Sequence, residues 1–126
     1  MRFLIGIDLQ DLRKFRRIVD RSGDRFLKRI FTEREIGYCY SFKDPTPHLA
    51  ARFSAKEAFA KALKPLLGKK VFEWHEIEVV SRDGEPVFNF SERVRNTLEK
   101  LGIDEVELSL SHSGDYAVAV VLLSKC

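Results

Sequence analysis

Three ionisable side chains stand where a fold can put them to chemical use. Asp8 ends the apolar run Phe3-Leu4-Ile5-Gly6-Ile7, a carboxylate at the end of a candidate strand. Glu57 lies in Arg52-Phe53-Ser54-Ala55-Lys56-Glu57-Ala58-Phe59-Ala60-Lys61-Ala62-Leu63, where Phe53, Ala60 and Lys61 share its face at helical spacing. A carboxylate among apolar and small neighbours is a candidate for partial burial. His112 sits in Ser111-His112-Ser113-Gly114, beside a turn. Two carboxylates without a cysteine pair suit a hard cation such as Mg²⁺, which is usually completed by substrate phosphates. A phosphate substrate follows, and Arg52, Lys56, Lys61, Lys64, Lys69 and Lys70 offer cations nearby in the chain to clamp it.

Each residue also has a plainer explanation. Glu57 and Lys61 form an i,i+4 pair that stabilises an exposed helix by a few tenths of a kcal/mol. Asp8 could cap the next turn, and His112 could be a hydrogen-bonded turn residue. Neither the dinucleotide-binding pattern nor the P-loop pattern is present, which disfavours ordinary nucleotide folds. Ser111, His112 and Asp115 do not make a hydrolase triad, because adjacent strand residues point apart and no nucleophile elbow is present.

The elements that must position these groups follow from periodicity. Phe3 to Leu9 predicts a buried strand. Leu12, Phe15, Ile18 and Val19 predict an amphipathic helix stopped at Ser22-Gly23, with Arg13, Lys14, Arg16 and Arg17 on its outer face. Thr32 to Glu35 has capping-box spacing and starts a helix running to about Phe42. Asp44-Pro45-Thr46-Pro47 forces a loop, after which a central helix runs from His48 until Pro65 and Gly68 close it. Its six alanines between Ala50 and Ala62 allow a neighbouring backbone to approach closely. Val71 to Trp74, Glu76 to Ser81 and Glu85 to Phe90 read as strands, the last two joined by a hairpin turn at Ser81-Arg82-Asp83-Gly84. Ser91 caps a helix over residues 92 to 101, and Glu105 to Ser111 and Tyr116 to Leu123 pair as a hairpin. Helices early and antiparallel strands late predict one α+β domain spanning residues 1 to 126.

At 126 residues, 44% hydrophobic and 33% charged, the chain can bury a core without metals or disulfides. No apolar run is long enough to span a bilayer, and the N-terminus does not resemble a signal peptide. Cys39 and Cys126 are unpatterned, so a reducing cytoplasm is the expected setting. The net charge of +3 divides unevenly: residues 1 to 70 carry +9 and residues 71 to 126 carry −6. The basic half calls for an acidic partner, whether phosphate, nucleic acid or protein.

Taken together, Ile5-Gly6-Ile7-Asp8-Leu9, the stretch from Arg52 to Leu63, and Leu110-Ser111-His112-Ser113-Gly114-Asp115-Tyr116-Ala117 resemble the motifs of the 4′-phosphopantetheinyl transferases. Their order and the chain length are similar to those of the short bacterial holo-acyl-carrier-protein synthases, and Phe31-Thr32 to Glu35 also resembles that family between its first two motifs. The resemblance implies that a serine of apo acyl carrier protein attacks coenzyme A and takes the phosphopantetheine group, releasing adenosine 3′,5′-bisphosphate. It implies Mg²⁺ held by Asp8, Glu57 and the pyrophosphate. Lys61, Arg52 and His112 would hold phosphate oxygens, and Glu57, or a water it orients, would take the serine proton. It further implies a homotrimer with sites between subunits, His112 reaching the Asp8 and Glu57 of a neighbour, and a role in fatty acid biosynthesis. The carrier protein's acidic helix would meet Arg13, Lys14, Arg16, Arg17 and Arg21.

Three departures from the family pattern stand out. Lys64-Pro65-Leu66-Leu67-Gly68-Lys69-Lys70 replaces a Gly-rich turn, so Lys69 or Lys70 would substitute in coenzyme binding. A family arginine falls at Lys14, which keeps the charge but loses bidentate geometry. Gln10 stands where double-length relatives have a third acid. The rival reading from another class is a non-catalytic module that binds coenzyme A, a carrier protein or another polyanion through the basic half.

Overall fold

The computed structural model describes residues 1–69 and 72–126. Five strands and five helices follow in the order β1 (Arg2–Asp11), α1 (Leu12–Ser22), α2 (Asp24–Ile30), α3 (Glu33–Tyr40), α4 (Thr46–Leu67), β2 (Ile77–Arg82), β3 (Glu85–Phe90), α5 (Glu92–Lys100), β4 (Ile103–Ser113) and β5 (Tyr116–Lys125). Strands β1, β5 and β4 form an antiparallel sheet in that order, and β2 and β3 form a separate hairpin. The expected α+β architecture is thus observed.

Alanine explains how the long helix fits. Ala55, Ala58 and Ala62 on α4 are fully buried, as are Ala117 and Ala119 on β5, so small residues face small residues where helix meets sheet. Contact is closest at Gly6, where a Cβ would lie 1.9 Å from the Ala58 carbonyl oxygen. Only glycine admits that approach. Around the alanines, Phe59 packs against Phe90 and Phe88, at centroid distances of 4.9 and 5.3 Å, and ties the β2–β3 hairpin to α4. Burial of such a ring stabilises by about 1.5–3 kcal/mol. A second apolar cluster joins Leu12, Phe15, Leu27, Ile30 and Phe31 to the first turns of α4.

The capping signals are realised. The Thr32 hydroxyl accepts from the Glu35 amide, and the Glu35 side chain accepts from the Thr32 amide. Ser91 caps α5 through the Val94 amide, and Asp83 and Gly84 turn the hairpin with φ of 53° and 81°.

Three expectations are corrected. The central helix starts at Thr46 and runs through Pro65 to Leu67; a proline is tolerated in this final turn, and Gly68, at φ 77°, ends the helix. Trp74–Glu76 is a 3-10 turn rather than strand, held by reciprocal bonds between Glu73 and Glu76, while Lys70 and Val71 lie outside the described residues. Strand β1 is buried on one face only: Leu4, Gly6 and Asp8 face α4, while Phe3, Ile5, Ile7 and Leu9 are 59 to 68% exposed. Among the described residues no helix is long and apolar enough to cross a membrane.

Candidate active site

Asp8 is carried on the buried face of β1, directly opposite Ala119 of β5. Its backbone carbonyl accepts from the buried Ser54 hydroxyl at 2.7 Å, which fixes the strand against α4. One carboxylate oxygen accepts from Lys61 Nζ at 3.1 Å and the other from Gln10 Nε2 at 2.7 Å. The Lys61 ammonium also donates to the Ile7 carbonyl at 3.1 Å, yet about half of the side chain remains exposed. The lysine therefore spans from the strand to solvent. Glu57, one turn back along α4, is half-buried, as its neighbours in sequence predict. It lines a surface pocket of about 320 Å³ with Ala60, Lys61, Lys64, Gly68 and Lys69. Asp8, Lys61 and Glu57 thus converge, and Lys64 and Lys69 add positive charge where an anion would enter.

His112 stands elsewhere. It is exposed near the end of β4, opposite Ala117 of β5, which in turn is opposite Gln10 of β1. Its ring meets that of His48, in the first turn of α4, at 5.8 Å between centroids. His48 precedes Glu57 by nine residues, which is about 14 Å along the helix. Within one chain His112 and Glu57 occupy different stations on α4.

Arg52 lies between them and is only 5% exposed. Its guanidinium stacks on Tyr38 at 4.2 Å, and its Nε has no hydrogen-bond partner among the described residues. A buried guanidinium with an unmet donor is costly to the fold.

Lys56 must be struck from the phosphate-binding cations. Its side chain and that of Glu35 are both fully buried, 2.7 Å apart, and Lys56 also donates to the Ile30 and Trp74 carbonyls at 2.9 and 3.0 Å. Glu35 accepts in addition from the amides of Thr32 and Val79. The pair ties α2, α3, β2 and the 3-10 turn to the middle of α4, next to Glu57.

On the basic face of α1, Arg13, Lys14, Arg16, Arg17 and Arg21 are all exposed. Arg13 is occupied by Asp11, at 3.0 Å, and its hydrogen bonds hold that carboxyl down to about 2. Arg16 pairs with Asp44 at 3.1 Å. Lys14, Arg17 and Arg21 have no ion-pair partner among the described residues.

The family model of the 4′-phosphopantetheinyl transferase superfamily matches residues 4–121. The holo-acyl-carrier-protein synthase of Chlamydia trachomatis serovar D is 45% identical over 120 residues, covering 95% of this chain and 98% of that protein. The crystal structure of the Neisseria meningitidis holo-acyl-carrier-protein synthase superposes with a TM-score of 0.85 at 32% identity, over 97% of this chain and 98% of that one. The ACPS–CoA complex of Chronobacterium ammoniagenes also gives 0.85 at 32% identity, over 100% and 99% of the two chains. These likenesses run the length of the chain and favour a transferase over a non-catalytic polyanion-binding module. The chain accordingly belongs to the 4′-phosphopantetheinyl transferase superfamily, with the holo-acyl-carrier-protein synthases as its relatives, and is a phosphopantetheinyl transferase.

Proposed function

We propose that the protein transfers 4′-phosphopantetheine from coenzyme A to a serine of apo acyl carrier protein and releases adenosine 3′,5′-bisphosphate. The observation that carries this reading is Lys61, whose ammonium group joins the Asp8 carboxylate to the Glu57-lined pocket. An anionic substrate there would find one cation already oriented by two strand oxygens.

The residues also fit Mg²⁺. Asp8 and Glu57 offer oxygen donors only, and Asp8 already has a cationic ammonium against one oxygen. Bound by these two carboxylates and the pyrophosphate, Mg²⁺ would neutralise charge on the phosphate oxygens. The chain's own groups do the rest. Lys61 holds a phosphate oxygen as the bond from phosphorus to the departing bisphosphate breaks. Glu57 takes the proton of the attacking serine hydroxyl, directly or through a water. Gln10 keeps Asp8 oriented. Arg52 and His112 bind phosphate oxygens away from the reacting centre. Exposed Lys14, Arg17 and Arg21, together with Arg13, receive an acidic carrier protein.

A homotrimer is part of the same proposal. The outward face of β1 exposes Phe3, Ile5, Ile7 and Leu9 side by side and is continued by Leu122 on β5, and a contiguous exposed apolar patch marks an interaction surface. Covering it with copies of the same chain would also let His112 of one subunit approach the Asp8 and Glu57 of another. Cys39 and Cys126, both free thiols, suit a cytoplasmic setting.

Intact mass spectrometry tests the proposal. Apo acyl carrier protein incubated with this protein, coenzyme A and Mg²⁺ should gain one phosphopantetheine, and a chelator should abolish the gain. Asp8→Asn and Glu57→Gln should fold but lose transfer by about 10²-fold or more. Unchanged transfer in either variant would remove that residue from the chemistry.

A further inference from the structure

The start of α4 holds an arrangement that the transfer reaction does not by itself require. His48 is half-buried and lies face to face on Phe42, with ring centroids 3.7 Å apart and planes 14° from parallel. The His112 ring stands nearly perpendicular to it, at 73°. One helical turn on, Arg52 reaches back to the His48 carbonyl at 3.5 Å. Three nitrogen-bearing side chains thus crowd one end of the helix. The opposing charge is Asp44, which already accepts from the Thr46 amide and pairs with Arg16.

We propose that His48 is a positioning residue: stacked on Phe42, it fixes the His112 ring for a phosphate group of the substrate. This inference rests on the reading above, in which His112 holds a phosphate of coenzyme A. An exposed histidine near a strand end has free rotamers, and fixing it in advance removes an entropy cost from binding. The perpendicular contact restrains His112 through a ring that is itself held, since His48 stacks on Phe42 and Phe42 meets Tyr38 edge-on at 5.2 Å.

Charge works in the same direction. A positive charge on His48 would sit beside the Arg52 guanidinium, which disfavours it. Burial, then Arg52, then His112 hold the His48 imidazole below its ordinary value, with Asp44 opposing them. His112, the more exposed ring, is the one that can reach a ligand.

Calorimetric titration with coenzyme A at pH 7.5 tests this on the intact protein, using wild type, His48→Ala, His48→Phe, His112→Ala and the His48→Ala/His112→Ala double variant. Thermal midpoints measured alongside establish that each is folded. His48→Ala should weaken binding about five- to tenfold, yet cost less than about twofold when His112 is already alanine. His48→Phe keeps the stack and the perpendicular contact, and should bind within about twofold of wild type. A merely structural role would give the same loss in both backgrounds, and that result overturns the inference, as does a His48→Phe variant as weak as His48→Ala. If wild type fails to bind coenzyme A, or His112→Ala binds as well as wild type, the underlying reading of the site falls and the inference with it.

Discussion

Replacing Lys56 by methionine separates a structural lysine from a ligand. Methionine keeps the length and apolar character of the stem but removes a charge and its donors. In the native protein Lys56 Nζ reaches Glu35 Oε1 at 2.7 Å, the Ile30 carbonyl at 2.9 Å and the Trp74 carbonyl at 3.0 Å, all in the interior. The variant leaves the Glu35 carboxylate buried against two backbone amides, with no cation from Lys56 to offset its charge. Removing one partner of such a pair costs about 3–5 kcal/mol. For a chain of this size about 1 kcal/mol corresponds to roughly 4 °C, so the thermal midpoint should fall by about 10–20 °C. Scanning calorimetry at one fixed protein concentration measures it, because assembly would make the midpoint concentration-dependent. The Lys56→Met/Glu35→Leu double variant should recover much of the loss, since well-packed apolar groups often replace a buried pair at little cost. Coenzyme A affinity of the folded single variant should change far less than its stability. A near-native midpoint with greatly weakened coenzyme binding would refute the reasoning and return Lys56 to the phosphate site.

Gly6→Ala should lower stability by about 3 kcal/mol or yield insoluble protein, because its Cβ would meet the Ala58 carbonyl oxygen and neither backbone can yield; chemical denaturation reads the change. In acid, Asp11 and Glu76 matter: hydrogen bonds from Arg13 and Arg93 hold both carboxyls down to about 2, below ordinary values of 3.8 and 4.5. Because the folded values are depressed, the stabilisation is complete above about pH 4.5 and is lost as pH falls toward 2. Glu76→Gln should therefore flatten the fall of the thermal midpoint across that window and leave its slope above pH 5 unchanged. Ile5→Lys/Ile7→Lys places charges on the outward face of β1; if copies of the chain cover that face, sedimentation should show folded monomers where the wild type assembles, and identical sedimentation of the two would refute that cover.

The positions of Glu57 and Lys61 were legible because local rules were enough to place them, whereas Asp8, expected at a strand end, lies within β1, which runs on to Asp11. Helical spacing sets Glu57 beside Lys61, and the Gly6 gap in an apolar run marks where the strand meets the alanine face of α4. Lys56 was not legible for the same reason in reverse. Its partner lies 21 residues away, and the capping box from Thr32 to Glu35 already gave Glu35 a sufficient local role. A usable signal was nevertheless present. Arg52, Lys56, Phe59 and Leu63 follow one helical stripe, and a lysine in a buried stripe demands a carboxylate from elsewhere in the chain. The His48 stack on Phe42 depends on how the chain from Ser41 to Pro45 returns into α4, and no periodicity encodes that.

Strand β1 carries this argument furthest. Its sequence is apolar on both faces, which for an isolated chain implies a strand covered on both sides. Helix α4 covers one face through Gly6, and the described residues leave Phe3, Ile5, Ile7 and Leu9 uncovered on the other. The residue pattern and the fold are reconciled if the missing layer is another copy of the chain. On that reading hydrophobic patterning would encode a subunit interface in the same strand that carries Asp8, with the Asp8 carboxylate and the neighbouring copy positioned by alternate residues of one ten-residue segment.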